Sequence, residues 1–589
     1  MLQAPGRAWP WPEPTPIPCT FWKSSGAPGA SLKFGVVIQG PLRNIFQDEP
    51  GTRGSLGFDK IFTCQRGSNL QCTGNTGISY ADALRGYVKS AQLTNVFFVD
   101  QRPLMLGGFA QDDWRITPQL TLNLGLRYDF SAPAVDGQNR MANFNPAANG
   151  GGGGLVYAAS GSLQDRALVE PNTKDFGPRI GFAWSVNPKA VLRGGYGIFY
   201  TLFERVGSEN QLALNPPGLV NNTPSAPSNA TAPVFFLQNG FPANFLDPNS
   251  LNLQLVHLRA ENPHFPTTMV QQWSFGVQQQ LSGGIVAEVD YVGTKSTHLD
   301  VLSDFNQPVN GAGTGVTTAR PYPNFGYIEY SSAIANGIYN GLEASLVRRL
   351  RAGLELRATY TYSRSIDNVS QELEAGSGNA QNGLNYHAWR GRSDFDVPHR
   401  VTFYYIFELP AGRGHQMFSH GLASYLLGNW RTSGFYSFAS GRPITVTSGS
   451  SIGSSIDAYG AATAVPNVIG TPHIVGDPNC WYYASINPFC RALAPNLTDA
   501  FQLQQPGQFG NAGRNLVRGP HISTFSFNLL KDFPIRERTN LEFRWEVFNL
   551  TNTPIFAQPG NNFSSGSAGQ ITALAGDPRV MQFALRLSF

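Results

Sequence analysis

Two adjacent carboxylates, Asp112 and Asp113, are the most obvious candidates for acid–base chemistry in this sequence. Neighbouring residues of a strand point to opposite faces, so these side chains cannot share a proton as a catalytic dyad does. Trp114 follows them directly, as an aromatic residue at the end of a membrane strand would. We interpret the pair as part of a strand end and turn.

Other motifs that could carry chemistry fail on spacing. The glycine run 150–154 lacks the Lys-Ser/Thr that completes a phosphate loop, and the segment 293–296 (GTKS) lacks the upstream glycine. The histidines are scattered without metal-ligand spacing. We therefore predict no enzyme, no cofactor and no metal site.

The cysteines form two close pairs in loop-like sequence. Cys64 and Cys72 lie eight residues apart, Cys480 and Cys490 lie ten apart, and Cys19 is left over. These four residues are candidates for two disulfides in an oxidising compartment, with the pairing left open.

The composition is unusual for a cytosolic protein. Charged residues make up 14% of the 589 residues, whereas about 25% is typical of soluble domains. Aromatic residues reach 12% and glycine contributes 64 residues. This balance suits a barrel with a lipid-facing wall, aromatic girdles and long loops. A net charge of +4 indicates no nucleic-acid partner.

Strict alternation of apolar and polar residues predicts the elements. In 120–130, Leu, Tyr and Phe occupy every even position and Thr, Asn, Gly, Arg and Asp every odd one. Such segments run for about 9–13 residues, whereas soluble strands average about 5–6. The predicted strands are 104–116, 120–130, 177–186, 190–200, 271–281, 285–293, 338–350, 354–363, 400–409, 427–439, 520–531, 540–549 and 579–589, with weaker ones near 31–39, 55–63 and within 86–101.

The connections between these strands alternate in length. Short turns such as 117–119 and 351–353 alternate with long loops, which are 131–176, 201–270, 294–337, 364–399, 440–519 and 550–578. Short periplasmic turns and long extracellular loops are typical of outer-membrane barrels. We predict an all-β protein: a transmembrane antiparallel β-barrel, of which about 14–16 strands are present in this chain. Residues 1–30 would be a Pro-rich disordered segment or a mis-assigned start, 31–103 weak N-terminal strands and loops of a partial barrel, and 104–589 the outer-membrane barrel domain.

Alternation also assigns the two faces of the wall. The lipid-facing or girdle residues are predicted to be Trp114, Leu122, Tyr128, Phe182, Trp184, Tyr360, Phe403, Trp545 and Phe583. The residues predicted to line the lumen are Arg127, Asp129, Arg179, Arg193, Glu355, Arg357, Glu542, Arg544 and Glu546. A cross-strand charge ladder without a transport role is the alternative interpretation of the charged set.

Several segments resemble a known family. They are 111–114 (QDDW) with 121–129 (TLNLGLRYD), 187–200, 339–350, 358–368, 440–446 and 546–556. In this order they are similar to the barrel of Oar-like TonB-dependent receptors over roughly 100–589. The resemblance implies a 22-stranded barrel around an N-terminal plug. The terminal aromatic strand, with Phe589 last, resembles the signal that the barrel-assembly machinery reads.

The resemblance does not extend to the start of the chain. Before residue 100 we find neither a plug-like sequence nor a TonB-box-like stretch, and residues 1–21 lack the pattern of a signal peptide. We therefore expect a fragment or a mis-assigned start. An inner-membrane TonB-type energy transducer would act only through a plug absent from this chain.

These observations leave three hypotheses. The first is an outer-membrane receptor barrel that binds a substrate too large for porins, chiefly through loops 201–270 and 440–519. The second is a plugless pore or a structural or adhesive barrel, and the third is a secreted soluble β-rich binding protein. For the first two, the partners are outer-membrane lipid and the barrel-assembly machinery. The substrate stays open. Loop aromatics are candidates for stacking on it: Phe235, Phe236, Trp481, Tyr482 and Tyr483.

Overall fold

One large antiparallel sheet organises the chain. The computed structural model describes residues 20–25, 29–40, 43–46, 51–201, 211–308, 320–370, 380–412, 417–449, 464–505, 507–536 and 539–589. Within them, 17 strands form a single sheet. Fifteen follow one another in chain order, each antiparallel to the next. Two short strands, Leu258–Glu261 and Gly391–Arg392, pair beside them.

We call these fifteen strands the wall. In chain order they are β1 (Thr20–Ser25), β2 (Ala30–Gln39), β3 (Met105–Arg115), β4 (Leu120–Ser131), β5 (Asp175–Asn187), β6 (Ala190–Tyr200), β7 (Met269–Gln280), β8 (Ile285–Asp304), β9 (Ile328–Arg351), β10 (Leu354–Asp367), β11 (His399–Glu408), β12 (Trp430–Ala439), β13 (Ile522–Arg536), β14 (Thr539–Phe548) and β15 (Val580–Ser588).

The register joins the apolar residues of the wall into one continuous face. Residues paired across two strands share a face, and Leu122 pairs with Phe182 just as Trp545 pairs with Phe583. This face is exposed: Ile180 retains 54% of its accessible surface. An apolar surface of this extent is costly in water, so the wall is built to meet an apolar surrounding.

Tight turns hold the register at one end of the wall. The β9–β10 hairpin turns at Ala352 and Gly353, with φ of 50° and 74°. Two positive φ values match the twist of a hairpin. A Cβ on Gly353 would lie 2.7 Å from the carbonyl oxygen of Glu408, so both the backbone conformation and the close approach of the next strand require glycine.

The structure confirms the predicted fold class, and each of the thirteen strongly predicted segments coincides with a wall strand. The range 285–293 is too short, because β8 continues to Asp304, and 338–350 is too short, because β9 begins at Ile328. In these extensions bulges interrupt the pairing near Leu299, and Ala333 and Ala335 are buried by loops. A strand covered in this way loses the alternation on which the prediction rests.

The N-terminal ranges differ from the prediction. Strand β1 falls within 1–30, where no strand was expected, whereas β2 coincides with the weak strand predicted near 31–39 and pairs with β3 in the wall. The weak strand near 55–63 reduces to Ser55–Gly57. Residues 1–19 lie outside the described residues.

Short elements occur within the connections. The strands are Arg43–Phe46, Ser55–Gly57, Tyr87–Val88, Ser90–Thr94, Phe98–Gln101, Ala142–Asn145, Gly154–Tyr157, Asn221–Asn222, Phe235–Phe236, Pro443–Ile444, Asn467–Val468, Ile474–Asp477, Cys480–Tyr482, Phe501–Gln502 and Val517–Arg518. The α-helices are Ser79–Leu84, Ala148–Gly151, Leu163–Ala167, Gly421–Leu427 and Pro488–Leu493, and the 3-10 helices are Lys60–Phe62, Gln211–Leu214, Leu237–Asn239, Pro248–Ser250 and Ser282–Gly284. Among the helices of the described residues, none has the length and apolarity needed to traverse a bilayer.

Candidate functional site

The long connections gather at one end of the wall, because consecutive strands are antiparallel and the short turns occupy the other end. We call the described parts of these connections the loop cap. The connections are 40–104, 132–174, 201–268, 305–327, 368–398, 440–521 and 549–579.

The loop cap has its own hydrophobic cores. One cluster joins Trp389, Ile444, Phe501 and Phe563, which come from three different connections. A second cluster joins Phe97, Met141, Leu212 and Phe265 from three others. Each of these side chains is at most 7% exposed. The cap is therefore a packed structure rather than a set of solvated loops.

Buried asparagines connect one loop to another in the cap. Asn143, 1% exposed, donates from Nδ2 to the carbonyl oxygen of Glu261 at 2.8 Å and accepts the backbone N–H of that residue at 3.0 Å. Asn215 similarly bridges Ala142 and Arg259, with 2.6 Å to each carbonyl oxygen. These amides satisfy backbone groups where no strand partner is available. The sequence analysis missed this role, because Asn is equally common in solvated loops.

One buried and one partly exposed arginine–aspartate pair tie connection 440–521 to the top of β10 and to connection 368–398. The completely buried side chain of Arg514 pairs with Asp367, and Arg518 pairs with Asp396. Burial lowers the pKa of Arg514 to about 10, so it remains protonated at neutral pH. Between these pairs, Asn515 donates to Asp394 at 2.6 Å, but burial outweighs this bond and raises the Asp394 pKa.

Asp136 anchors another part of the cap. Its carboxylate accepts from Arg140 at 2.8 and 2.9 Å and from the backbone N–H of Asp100 at 3.0 Å. Burial of this side chain opposes ionisation, yet the hydrogen bonds from Arg140 and Asp100 outweigh it and lower the Asp136 pKa.

The two cysteine pairs are disulfide-bonded in the structure, Cys64 to Cys72 and Cys480 to Cys490. The second bridge is completely buried beside Tyr483 and closes the segment that carries helix Pro488–Leu493. Cys19 lies outside the described residues.

The loop aromatics proposed for ligand stacking divide into two groups. Phe235, Tyr482 and Tyr483 are buried, and the hydroxyl of Tyr482 donates to the carbonyl oxygen of Gly560 at 2.9 Å. They pack the cap and cannot stack on a ligand at its surface. Trp481 donates from Nε1 to the carbonyl oxygen of Arg518 at 2.7 Å, whereas Phe236 is exposed.

Phe236 belongs to an exposed apolar surface, which we call the apolar tip. Strand 235–236 pairs with strand 87–88, and the backbone N–H of Leu237 donates to the carbonyl oxygen of Gly86 at 2.8 Å. This brings connection 201–268 beside helix Ser79–Leu84. The members of the tip are Ile78, Tyr80, Leu84, Phe236 and Leu237, which are 39–70% exposed.

Below the cap, the register separates the predicted site residues of the wall into two sets. The residues predicted to face lipid share the apolar face; they are Trp114, Leu122, Tyr128, Phe182, Trp184, Tyr360, Phe403, Trp545 and Phe583. The residues predicted to line the lumen share the opposite face; they are Arg127, Asp129, Arg179, Arg193, Glu355, Arg357, Glu542, Arg544 and Glu546. Their roles stay predictions, as does that of Phe589, which is 96% exposed.

The charged face carries short-range ion pairs. Arg127 Nη2 lies 2.7 Å from Asp129 Oδ1, and Arg193 Nη1 lies 3.5 Å from Glu288 Oε1. The Arg179 guanidinium lies 4.6 Å from the centre of the Phe199 ring.

A second group of charges lies on the same face near the short-turn end. Glu542 contacts both Arg544 and Arg431, the latter at 3.6 Å. Gln582 donates to Glu546 at 3.2 Å. Both interpretations from the sequence, a cross-strand ladder and a polar lining, are compatible with these contacts. The described part of the chain contains no cluster of three His, Cys, Asp or Glu side chains suited to a metal ion.

Comparison with known proteins identifies the architecture. A family model for an outer membrane beta barrel domain matches residues 29–582. Solved structures that resemble the chain include the outer membrane transporter YddB from Escherichia coli (TM-score 0.46, 10% identity, covering 96% of this chain and 52% of that one). Another is the siderophore receptor PirA from Acinetobacter baumannii, with a TM-score of 0.39, 12% identity, and coverage of 95% of this chain and 55% of that one. A third is the FrpB iron transporter from Neisseria meningitidis, with a TM-score of 0.40, 9% identity, and coverage of 97% of this chain and 55% of that one. The chain spans about half the length of these structures. No curated protein matches the sequence.

Proposed function

Because this chain belongs to the outer membrane beta barrel domain family and resides in the outer membrane, we propose that it acts as a receptor barrel of the TonB-dependent type. The proposed activity is to bind a substrate too large for porins at the loop cap and to admit it to the polar face of the wall. The family is one of membrane barrels, so the function lies in binding and passage rather than in catalysis.

The observation that carries this proposal is the packed loop cap. A barrel that only conducted ions would need no buried cores in its extracellular loops. Here, buried asparagines and two arginine–aspartate pairs hold connections from different hairpins together. Such an arrangement presents a preformed surface, which lowers the entropy that a ligand must overcome on binding.

The apolar tip is the part of the cap that we propose for ligand contact. Tyr80 and Leu84 are 69% and 70% exposed on the helix that precedes strand 87–88, and Phe236 of connection 201–268 pairs with that strand. Exposed aromatic and apolar side chains on a disulfide-anchored loop suit stacking on a ring or on the apolar part of a chelate. Energised passage would further require a plug and an inner-membrane transducer, which we propose as partners on the resemblance alone.

A binding screen on the folded chain tests the proposal. The full chain, refolded into vesicles, is titrated with ferric chelates, oligosaccharides and peptides while tryptophan fluorescence is recorded. We expect saturable binding of one class, weakened by Tyr80→Ala and Leu84→Ala. Leu574→Ala, at a site 57% exposed in another connection, serves as the control and should bind as the parent chain does.

Conductance across a planar bilayer separates the proposal from its rival. Steady ion conductance without saturable binding of any ligand would contradict the receptor function and favour the plugless pore or adhesive barrel. Saturable binding that is equally lost in all three variants would contradict the apolar tip as the contact site.

A further inference from the structure

The connection between β11 and β12 differs from every other described connection at the short-turn end. It spans residues 409–429 and contains helix Gly421–Leu427, whereas the β9–β10 turn needs only two residues. In this helix, the exposed fraction is 81% for Leu422, 65% for Leu426 and 48% for Tyr425. We call the described part of this connection, 409–412 and 417–429, the foot.

The helix of the foot carries an outward apolar stripe and a buried serine on its other side. Leu422, Tyr425 and Leu426 recur at the i, i+3, i+4 spacing of one helix stripe, while Ser424 on the other side is 4% exposed. This is the reverse of a helix on a soluble protein. An outward apolar stripe is favourable where the helix lies in the interface of a bilayer.

The foot is attached to the apolar face of the wall. Trp430 Nε1 donates to the carbonyl oxygen of Leu426 at 3.0 Å, and Lys531 Nζ donates to that of Gly428 at 2.6 Å. The Lys531 ammonium also lies 4.9 Å from the centre of the Trp430 ring. Trp430 and Lys531 are cross-strand partners, so both belong to the face shared by Trp545 and Phe583.

A cavity of about 360 Å³ lies between the foot and the wall. Its lining from the foot consists of Leu409, Pro410, Ala411, Met417, Phe418 and Leu427. The wall contributes Trp430 and Leu529. Leu529 pairs with Trp545, so the cavity opens from the same face that meets the acyl chains. Its described lining contains no charged side chain.

We propose that the foot lies in the periplasmic leaflet of the outer membrane and that its cavity holds one acyl chain of a phospholipid. The continuity of the cavity with the lipid-facing wall selects this occupant, because a periplasmic protein would have to displace lipid from the same surface. The inference rests on family membership and does not depend on the proposed receptor function.

Depth-dependent quenching tests the position of the foot. In a Cys19→Ser background, Leu422→Cys and Leu426→Cys are labelled with an environment-sensitive fluorophore in chains folded into phosphatidylethanolamine–phosphatidylglycerol vesicles. We expect strong quenching by phospholipids brominated on the acyl chain and severalfold weaker quenching by aqueous iodide. Lys189→Cys, in the polar β5–β6 turn at the same end, is the control and should show the opposite pattern. Iodide access at 422 and 426 equal to that at 189 would overturn the proposal.

Native mass spectrometry tests the cavity itself. The chain extracted from these vesicles should retain a phospholipid, and Ala411→Phe, which fills the cavity, should reduce that retention severalfold. Ala358→Phe makes the same change on the apolar face away from the cavity, where Ala358 pairs with Phe403, and should retain lipid normally. Equal retention in both variants would contradict the acyl-chain site even if the foot is embedded.

Discussion

At the scale of single residues, burial decides how much a charged pair contributes to the loop cap. Arg514 is completely buried beside Asp367, whereas Arg102 and Asp100 form an exposed pair at 2.7 Å. Removing one partner of a buried pair costs about 3–5 kcal/mol, because the other charge is left unpaired in a region of low polarity. An exposed pair contributes about 0–1 kcal/mol.

We therefore expect Arg514→Met to loosen the cap strongly. Asp367 would lose its partner, and connection 440–521 would lose one of the two ion pairs that join it to β10 and connection 368–398. Hydrogen exchange should speed up in 440–449 and 380–398, with the wall strands unchanged. Arg102→Met is the control, and its exchange should resemble that of the parent chain. Equal effects of the two variants would contradict the importance of burial.

Two carboxylates of the cap should respond to pH in opposite ways. The Asp136 pKa is lowered from its ordinary 3.8, so its ionised form stabilises the fold above that pH, and this contribution is lost as the pH falls through the lower folded value. Asp136→Asn should therefore destabilise the cap at neutral pH and have little effect in strong acid.

The Asp394 pKa is raised by burial, so ionisation costs stability at neutral pH; this cost decreases as the pH falls below the raised folded value and is gone below the ordinary 3.8. Asp394→Asn keeps an acceptor for Asn515 and should be neutral or stabilising at pH 7. Chemical denaturation followed by cap fluorescence between pH 3 and 8 measures both variants, and the same sign for both at pH 7 would contradict this account.

At the scale of elements, the two faces of one strand should tolerate charge very differently. Leu346 and Ser345 are neighbours in β9, but Leu346 pairs with Ala358 on the apolar face, whereas Ser345 pairs with Glu288 on the charged face. A strand of this kind is stable only because acyl chains meet one side and polar groups the other.

We expect Leu346→Lys to reduce the free energy of folding into vesicles by about 2–4 kcal/mol, the cost of a lysine in the middle of a bilayer. Ser345→Lys places the same charge opposite Glu288 and should change stability little. Urea titration in phospholipid vesicles measures both, and equal losses would contradict the assignment of lipid to the apolar face.

At the scale of the whole molecule, the wall and the loop cap are stabilised by different means. The wall depends on backbone pairing and on an apolar surrounding, whereas the cap has buried clusters, buried asparagines and a buried disulfide between Cys480 and Cys490. The two parts should therefore lose structure under different conditions.

Replacing both Cys480 and Cys490 by serine should expose this difference. Loss of a disulfide costs about 2–5 kcal/mol in small domains, and here it would leave two polar hydroxyls in a buried site. We expect increased proteolysis in 464–505, with the wall still resistant and still embedded in vesicles. Replacing Cys64 and Cys72, in a more exposed hairpin, should have the smaller effect. Collapse of the wall in either variant would contradict independent stabilisation.

The sequence by itself determined thirteen of the fifteen wall strands, indicated β2 weakly and gave no signal for β1. Apolar and polar residues alternate along a strand wherever one of its faces meets an apolar surrounding and the other a polar one, so this pattern is visible in the sequence itself. The alternation located the thirteen strongly predicted strands and both faces of each, and the lengths of the connections indicated the end at which the long loops gather. The alternation was incomplete at residues 294–304 and 328–337, where loops cover the strand and most side chains on both faces are buried or half-buried.

Only the tertiary structure decided the loop cap and the foot. Asn143, Arg514 and Tyr482 have no periodic context, so nothing in the chain distinguishes them from solvated loop residues. Their burial depends on segments more than 70 residues away, which fold against them once the wall has brought the loop ends together. The sequence of a seven-residue helix does not define which of its sides faces protein. In the foot, the hydrogen bonds from Trp430 and Lys531 fix the orientation of the helix, and only they show that the apolar stripe points outward.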